Sequence, residues 1–359
     1  MSHIRALTLA QVQDGLITRQ QALATGMTAD ALRHAIRPGG PWQRVLPGVY
    51  ATFSGPLTPL HRLRAAVLFA GEDAVVTGSW ACDLVGLQYG PPVADDIDVL
   101  VDWTRGQRSH GFVRALRTRR LPKSQRWIDD DRMTALRRGG PPLDVELDPL
   151  APSASPGVVP IAPAARAVVD TVVRWRHLPP DWRPVCPGEN GCSRCWDRPG
   201  HHRALALRNV RALMCETVQR RQCTLTALGA EVTAAPRRGG ALVRLAMQDI
   251  EAGCRSAPEC ELRDLVLTSR LLPEPRWNRV LPGHRGIVPD ACWPEARLVV
   301  EVDSRSFHGF GDAPRRTEER RARYAAYGWR VLPVSPARLR SEPDAVLREI
   351  EAAYLAGLS

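Results

Sequence analysis

Leu298-Val-Val-Glu-Val-Asp303 restricts the fold of this chain more than any other stretch. Its valines are β-branched and favour a strand, and the run is apolar enough to lie inside a sheet. A strand alternates its side chains, so Glu301 and Asp303 share one face and Val302 takes the other. Carboxylates on a strand meant for burial cost stability, and that cost is offset where they hold a divalent cation. The strand therefore predicts both a small α/β core and a reason for acid inside it.

The neighbouring segments extend the pattern. Glu259 sits in Ser256-Ala-Pro-Glu259, at the head of a helix predicted to run to about Thr268, with Leu262, Leu265 and Val266 on its apolar side. A strand is expected near Trp277 to Leu281. Gly283-His-Arg-Gly286 should turn the chain into a second strand ending at Asp290, which would meet Glu301 at the sheet edge. Asp290 and Glu301, with the Val302 carbonyl, offer hard oxygen ligands suited to Mg²⁺. A cation there polarises a phosphate and lowers the pKa of a bound water. His308 is a candidate for proton transfer near neutral pH, and Glu259 for orienting the water. Arg316, Arg320 and Arg323 recur along one face of a helix expected from Arg316 to Tyr327. They would either hold a substrate backbone or form a solvated face with Glu318 and Glu319. A strand over Gly328 to Leu332 and a helix over Ala345 to Leu355 would close the core.

Ser256-x-x-Glu259-x-x-Leu262, Asp290-x-x-Trp293, Glu301-Val-Asp303, His308, Arg320 and Gly328-Trp329 carry a family resemblance. The stretch over about residues 254 to 357 resembles the Vsr-like (very-short-patch-repair-like) branch of the PD-(D/E)XK endonuclease superfamily. The resemblance implies a mixed sheet flanked by helices and Mg²⁺-dependent cleavage of nucleic acid. It assigns Asp290 and Glu301 to the metal, with Glu259, Asp303 and His308 in catalytic support. Asp303 stands where the superfamily usually has lysine, a residue the Vsr-like branch also lacks, and Ser304 stands at a common glycine.

A chain of 359 residues exceeds one ordinary core, so two or three domains are expected, and the segments read as three. The first, residues 1–55, reads as short helices and a hairpin. Thr18 and Gln21 form a capping box, Gly26 ends that helix, and Thr28 caps a third helix over Ala29 to Ile36. Gln43 to Ala51 alternates around a Pro47-Gly48 turn. These are the parts of a winged helix-turn-helix, with Thr28, Asp30, Arg33, His34 and Arg37 facing DNA and Arg44 on the wing. A helical domain that docks protein uses the same parts. Gly15-Leu-Ile-Thr-Arg-Gln-Gln-Ala, Gly26-Met-Thr and Trp42-Gln-Arg-Val-Leu-Pro-Gly-Val-Tyr50 resemble the winged-helix domain of AbiEi-type antitoxins from type IV toxin–antitoxin systems. That resemblance implies DNA binding, a defence context and a cognate toxin as a partner.

Residues 56–250 form an expected mixed α/β middle domain, with strands at Ala74 to Gly78, Ile97 to Val101, Phe112 to Arg119 and Leu143 to Leu147. Ala151 to Pro163 reads as a loop before a helix over Ala164 to Trp175. Gly78-Ser79, Asp96, Asp98 and Asp144 or Glu146 resemble, weakly, the acidic set of a nucleotidyltransferase. Within this domain, residues 179–202 are a Pro/Gly-rich insert with the spacing Cys186-x5-Cys192-x2-Cys195-x5-His201-His202. Three thiolates and one imidazole, His201 or His202, match a Zn²⁺ site, and the metal would order a segment with little core of its own.

The net charge of +11 and pI near 9.7 favour a polyanionic partner. From Arg105 to Arg126 there are eight basic residues and no acidic one, which fits a solvated hairpin or a phosphate-contacting surface. No run is apolar enough to span a bilayer, so no membrane partner is expected. Met1-Ser-His-Ile-Arg-Ala lacks the apolar core of a signal peptide, and the cytoplasm is the expected compartment. The expected architecture is a multidomain α+β chain: a winged helix-turn-helix, a mixed α/β middle, and a restriction-endonuclease-like α/β core over residues 251–359. The expected activity is that of a Mg-dependent endodeoxyribonuclease in DNA repair or phage defence. The alternative is a non-enzymatic antitoxin or transcriptional regulator with an inactive nuclease fold.

Overall fold

A computed structural model describes residues 2–130, 157–186, 192, 193, 195, 200–284, 286–302 and 313–359, with side chains from 319 onward in the last segment. Contacts divide the chain into two compact units, Met1–Arg174 and Trp175–Ser359. The boundaries expected after residues 55 and 250 both fall inside units.

The first unit begins with α1 (Ser2–Val12), β1 (Leu16–Thr18), α2 (Arg19–Ala24), α3 (Ala29–Ala35), β2 (Gln43–Leu46) and β3 (Val49–Ala51). Thr18 and Gln21 cap α2 reciprocally, and the Thr28 side chain accepts the Ala31 N–H at 3.1 Å to start α3. The strands pair antiparallel in the order β1-β3-β2. The β2–β3 turn needs Gly48, whose φ of 74° is left-handed. Ala6, Leu9, Ile17, Leu32, Trp42 and Tyr50 pack into one core, so the Trp and Tyr of the Trp42–Tyr50 motif are packing residues.

The rest of this unit holds α4 (Pro59–Ala70), β4 (Val75–Thr77), α5 (Gly78–Leu84), β5 (Ile97–Asp102), β6 (Val113–Thr118), β7 (Gln125–Ile128), β8 (Val158–Ile161) and α6 (Ala164–Val173). The strands form one mixed sheet in the order β6-β5-β4-β8-β7. Strand β8 lies in the stretch expected to be a loop. The strand expected at Leu143 to Leu147 is outside the described residues. Gly78 is constrained twice: its φ is 70°, and a Cβ there would come 3.0 Å from Asp98 Oδ2.

The second unit opens with α7 (His201–Gln219), α8 (Leu225–Ala234), α9 (Ala241–Ala252) and α10 (Ala257–Val266). Then follow β9 (Arg276–Trp277), β10 (Ala291–Trp293), β11 (Leu298–Val302), α11 (Ala313–Ala326), β12 (Arg330–Val334), α12 (Pro336–Ser341) and α13 (Pro343–Leu358). The sheet order is β12-β11-β10-β9, with β11 and β12 parallel and the other pairs antiparallel. Alternation along β11 feeds two cores. Leu298 and Val300 pack with Leu262, Trp293 and Ile350, whereas Val299 packs with Cys292, Tyr324 and Trp329. The sheet is thus covered on both faces. The strand expected to end at Asp290 begins just after it instead, because the register pairs Ala291 with Val300.

Candidate functional site: a buried carboxylate group and a thiol–imidazole cluster

Extending the β10–β11 register by one residue sets Asp290 beside Glu301. Both strands are interior to the sheet, so the pair does not lie at an edge as expected. Asp290 Oδ2 accepts the Val302 N–H at 2.7 Å, which ties the two strands where β11 ends. Glu301 shares the face of Val299, only 3% exposed, and points toward α11. There its Oε1 accepts the Tyr324 hydroxyl at 2.6 Å, and Arg320 forms an ion pair with Oε2. Residues 320 and 324 are four apart on α11, so one helical face delivers both. Oε2 is buried and, beyond that ion pair, accepts no hydrogen bond.

Glu259 approaches from the first turn of α10. Its Oε1 accepts the Ser256 hydroxyl at 2.7 Å, and its Oε2 accepts the Arg255 N–H at 2.8 Å and the Asn278 amide at 2.5 Å. The Ser256 side chain also caps α10, accepting the Glu259 N–H at 3.3 Å. Glu259 and Glu301 are buried and Asp290 is half-buried, and this grouping disfavours ionisation of Asp290 and Glu301. Burial, then Glu259 and Glu301, hold the Asp290 carboxyl well above the usual carboxylate range. Burial also raises Glu301, opposed by the Tyr324 hydrogen bond and by Arg320 and Arg321.

The remaining expected site residues divide clearly. Asp303, His308 and the side chain of Arg316 lie outside the described residues. Arg323 is exposed, and Arg320 is a partner of Glu301 rather than a free cation. In the first unit Thr28, Asp30, Arg33, His34, Arg37 and Arg44 are all exposed, with Arg33 paired to Asp30. Among the nucleotidyltransferase-like acids, Asp98 is bound by Arg114 at 2.7 Å, and Asp144 and Glu146 lie outside the described residues. Tyr324 and Asn278 are the additions sequence reasoning missed. The spacing of Tyr324 from Arg320 was the available signal for the first. Asn278 gives no local signal, since it meets Glu259 through the fold.

A second cluster lies at the start of α7. One ligand atom each from Cys186, Cys192, Cys195 and His202 falls within 4.8 Å of all the others, a set able to coordinate a metal ion. Cys192 Sγ is 3.6 Å from Cys195 Sγ and 3.3 Å from His202 Nε2. The imidazole is His202 and not His201. Successive residues of a helix point about 100° apart, so one of the two faces the thiols. The hydrogen bond from His202, with the Cys195 amide, lowers the Cys192 thiol to about 6. Burial and the adjacent Cys192 and Cys186 raise Cys195 to about 11. Cys192 is thus the thiol readiest to bind a cation as thiolate, and a cation would displace the proton of Cys195.

No helix among the described residues is long and apolar enough to cross a membrane. No family model matches the chain. It is similar to Uncharacterized protein MT2308 and Uncharacterized protein Rv2248, from two strains of Mycobacterium tuberculosis. Identity to each is 30% over 127 residues, which is 34% of this chain and 46% of the relative. The chain thus spans less than half the length of these curated relatives.

Proposed function

We propose that the second unit carries a divalent-cation-dependent phosphodiesterase site acting on DNA, with Asp290 and Glu301 as the cation-holding carboxylates. The observation that carries this reading is the pairing of Asp290 and Glu301 on adjacent interior strands, where burial raises both carboxyls and the charges of Glu259 and Glu301 raise Asp290 further. A group of buried acids with a carboxylate oxygen lacking a hydrogen bond fits a hard cation, and oxygen donors suit Mg²⁺. Mg²⁺ at this position would polarise a phosphate and acidify a water. Asp290 and Glu301 must lose their protons to hold it. Glu259 stays anchored to the α10 cap and supplies negative potential. Arg320 keeps 44% of its side chain in solvent and can exchange Glu301 for a phosphate oxygen. The two-faced mixed sheet supports the restriction-endonuclease-like reading.

The first unit would bring the substrate. Three short helices, a three-stranded antiparallel sheet and exposed Arg33, His34, Arg37 and Arg44 support a winged helix-turn-helix that binds DNA. Under this reading the protein serves DNA repair or phage defence. The test is incubation of the full chain with duplex and single-stranded DNA and Mg²⁺ or Mn²⁺, beside Asp290→Ala and Glu301→Ala. Cleavage by the wild type alone supports an endodeoxyribonuclease.

One observation favours a second reading. Glu301 already has Tyr324 and Arg320, and Asp290 already has the Val302 N–H, so the acids are held without a cation. A regulator or antitoxin of the AbiEi type, with a cognate toxin and an inactive nuclease fold, would look like this. It predicts specific duplex binding with no cleavage under any of these conditions.

For the thiol–imidazole cluster we propose Zn²⁺. A tetrahedron with Zn–S of about 2.3 Å has ligand edges of about 3.7 Å. The 3.6 Å and 3.3 Å separations are close to that, in a set whose ligand atoms all lie within 4.8 Å of one another. Zinc would fix the segment before α7 and have a structural role.

A further inference from the structure

Within the basic stretch Arg105 to Arg126, the first unit's sheet brings Arg119 against an exposed tryptophan, Trp103. Strands β5 and β6 run parallel, with Asp102 beside Thr118, and the Trp103 N–H continues the ladder to the Thr118 carbonyl at 3.0 Å. Trp103 and Arg119 therefore emerge next to each other where the ladder ends. The Arg119 guanidinium carbon lies 4.7 Å from the centre of the Trp103 ring, and 51% of Trp103 is exposed. A large apolar ring left half in water asks for a ligand with a flat apolar face.

The unpaired charges along this stretch are basic. Arg108, Arg117, Arg119 and Lys123 are exposed and make no ion pair among the described residues. Arg117 is the penultimate residue of β6, and Arg119 follows directly where that strand ends. Arg114 belongs to the interior, held by Asp98, and Arg105 pairs with Asp73. The adjacent acid, Asp102, is engaged by Thr104 through its amide and hydroxyl. Duplex DNA offers phosphates to such a surface, but its bases are already stacked. An unpaired base has a free face for the indole while its flanking phosphates meet the arginines.

We propose that this surface binds single-stranded nucleic acid, with Trp103 as the stacking platform and Arg117 and Arg119 as backbone contacts. It uses none of the carboxylates of the second unit and stands whether or not that unit cleaves DNA. The test is fluorescence anisotropy of the full chain with a labelled oligodeoxythymidylate and a matched duplex, without added divalent cation.

The wild type should bind the single strand. Trp103→Ala should weaken that binding by roughly 5- to 150-fold, the range base–aromatic stacking supplies. Trp103→Phe should restore most of it, and neither change should alter duplex binding. Arg117→Ala, which leaves the ring in place, should reduce the salt slope for the single strand by about 0.7. Circular dichroism identifies any variant that fails to fold, and the phenylalanine and Arg117 variants then carry the test. Absence of single-strand binding, unchanged affinity in Trp103→Ala, or equal losses for single strand and duplex would each overturn the proposal.

Discussion

The Tyr324 hydroxyl donates to Oε1 of Glu301 across 2.6 Å, joining helix α11 to the last turnable acid of strand β11. The tyrosine is fully buried and Glu301 is 3% exposed, so this bond forms out of reach of water. Burial and the nearby Glu301 carboxylate raise the tyrosine's own pKa, which keeps it a donor throughout the working pH range.

Tyr324→Phe should therefore destabilise the protein by about 1.5–3 kcal/mol, the usual worth of a hydrogen bond to a charged group. Urea unfolding measures this. Adding Glu301→Gln in a double-mutant cycle should recover a coupling energy, since the two residues are in direct contact. Losing the tyrosine also removes a hydrogen bond that lowers the Glu301 pKa, so cation binding should need a higher pH.

Asp290 gives a pH-dependent prediction. Its carboxyl is raised in the folded state, so over the window from about 3.9 up to that raised value the folded protein holds a proton the unfolded chain has lost. Its contribution to stability is complete below the window and is lost as pH rises through the folded pKa. Asp290→Asn keeps an acceptor for the Val302 N–H without the charge. It should raise Tm relative to wild type at pH 8 without added cation, and the advantage should disappear toward pH 4. Thermal melts across that range decide it.

Local signals were legible in the sequence, and contacts across the fold were not. The Thr18–Gln21 box and the Thr28 cap each lie within one helical turn, and both form. Strand β11 was legible because its valines and alternation are self-contained. Strand β8 was not, since Val158-Val-Pro-Ile161 becomes a strand by pairing with β7 and β4. Helix α8 was overlooked although Thr224 caps it. Within the site, the juxtaposition of Asp290 and Glu301 was expected, but their interior position depends on β9 and β12 flanking them. Spacing alone could not choose between His201 and His202, because the two are adjacent and only the first turn of α7 orients one of them to the thiols.

The cluster at the head of α7 makes that choice testable. Metal analysis of the wild type should find about one zinc per chain, the number a Cys3His set holds. His202→Ala and Cys192→Ser should fall below about half an equivalent. His201→Ala should keep the metal. Chelation should lower Tm in the wild type and leave the His202 variant unchanged.

On α3, stability and DNA contact should separate. Thr28→Ala removes a helix cap and should cost about 1 kcal/mol in unfolding experiments. Arg37→Ala leaves the cap intact, and it should weaken duplex binding and reduce the salt slope by about 0.9, one phosphate's worth. Titrations at several salt concentrations distinguish the two.

The central claim is that Asp290 and Glu301 together hold a divalent cation. Its most direct test is Mn²⁺ binding at pH 8, followed by the loss of the free-ion paramagnetic resonance signal, with the thiol–imidazole cluster already loaded with zinc. The wild type should bind Mn²⁺, and both Asp290→Ala and Glu301→Ala should lose that binding while remaining folded. Equal Mn²⁺ binding by the wild type and both variants, or none by the wild type, would contradict the account.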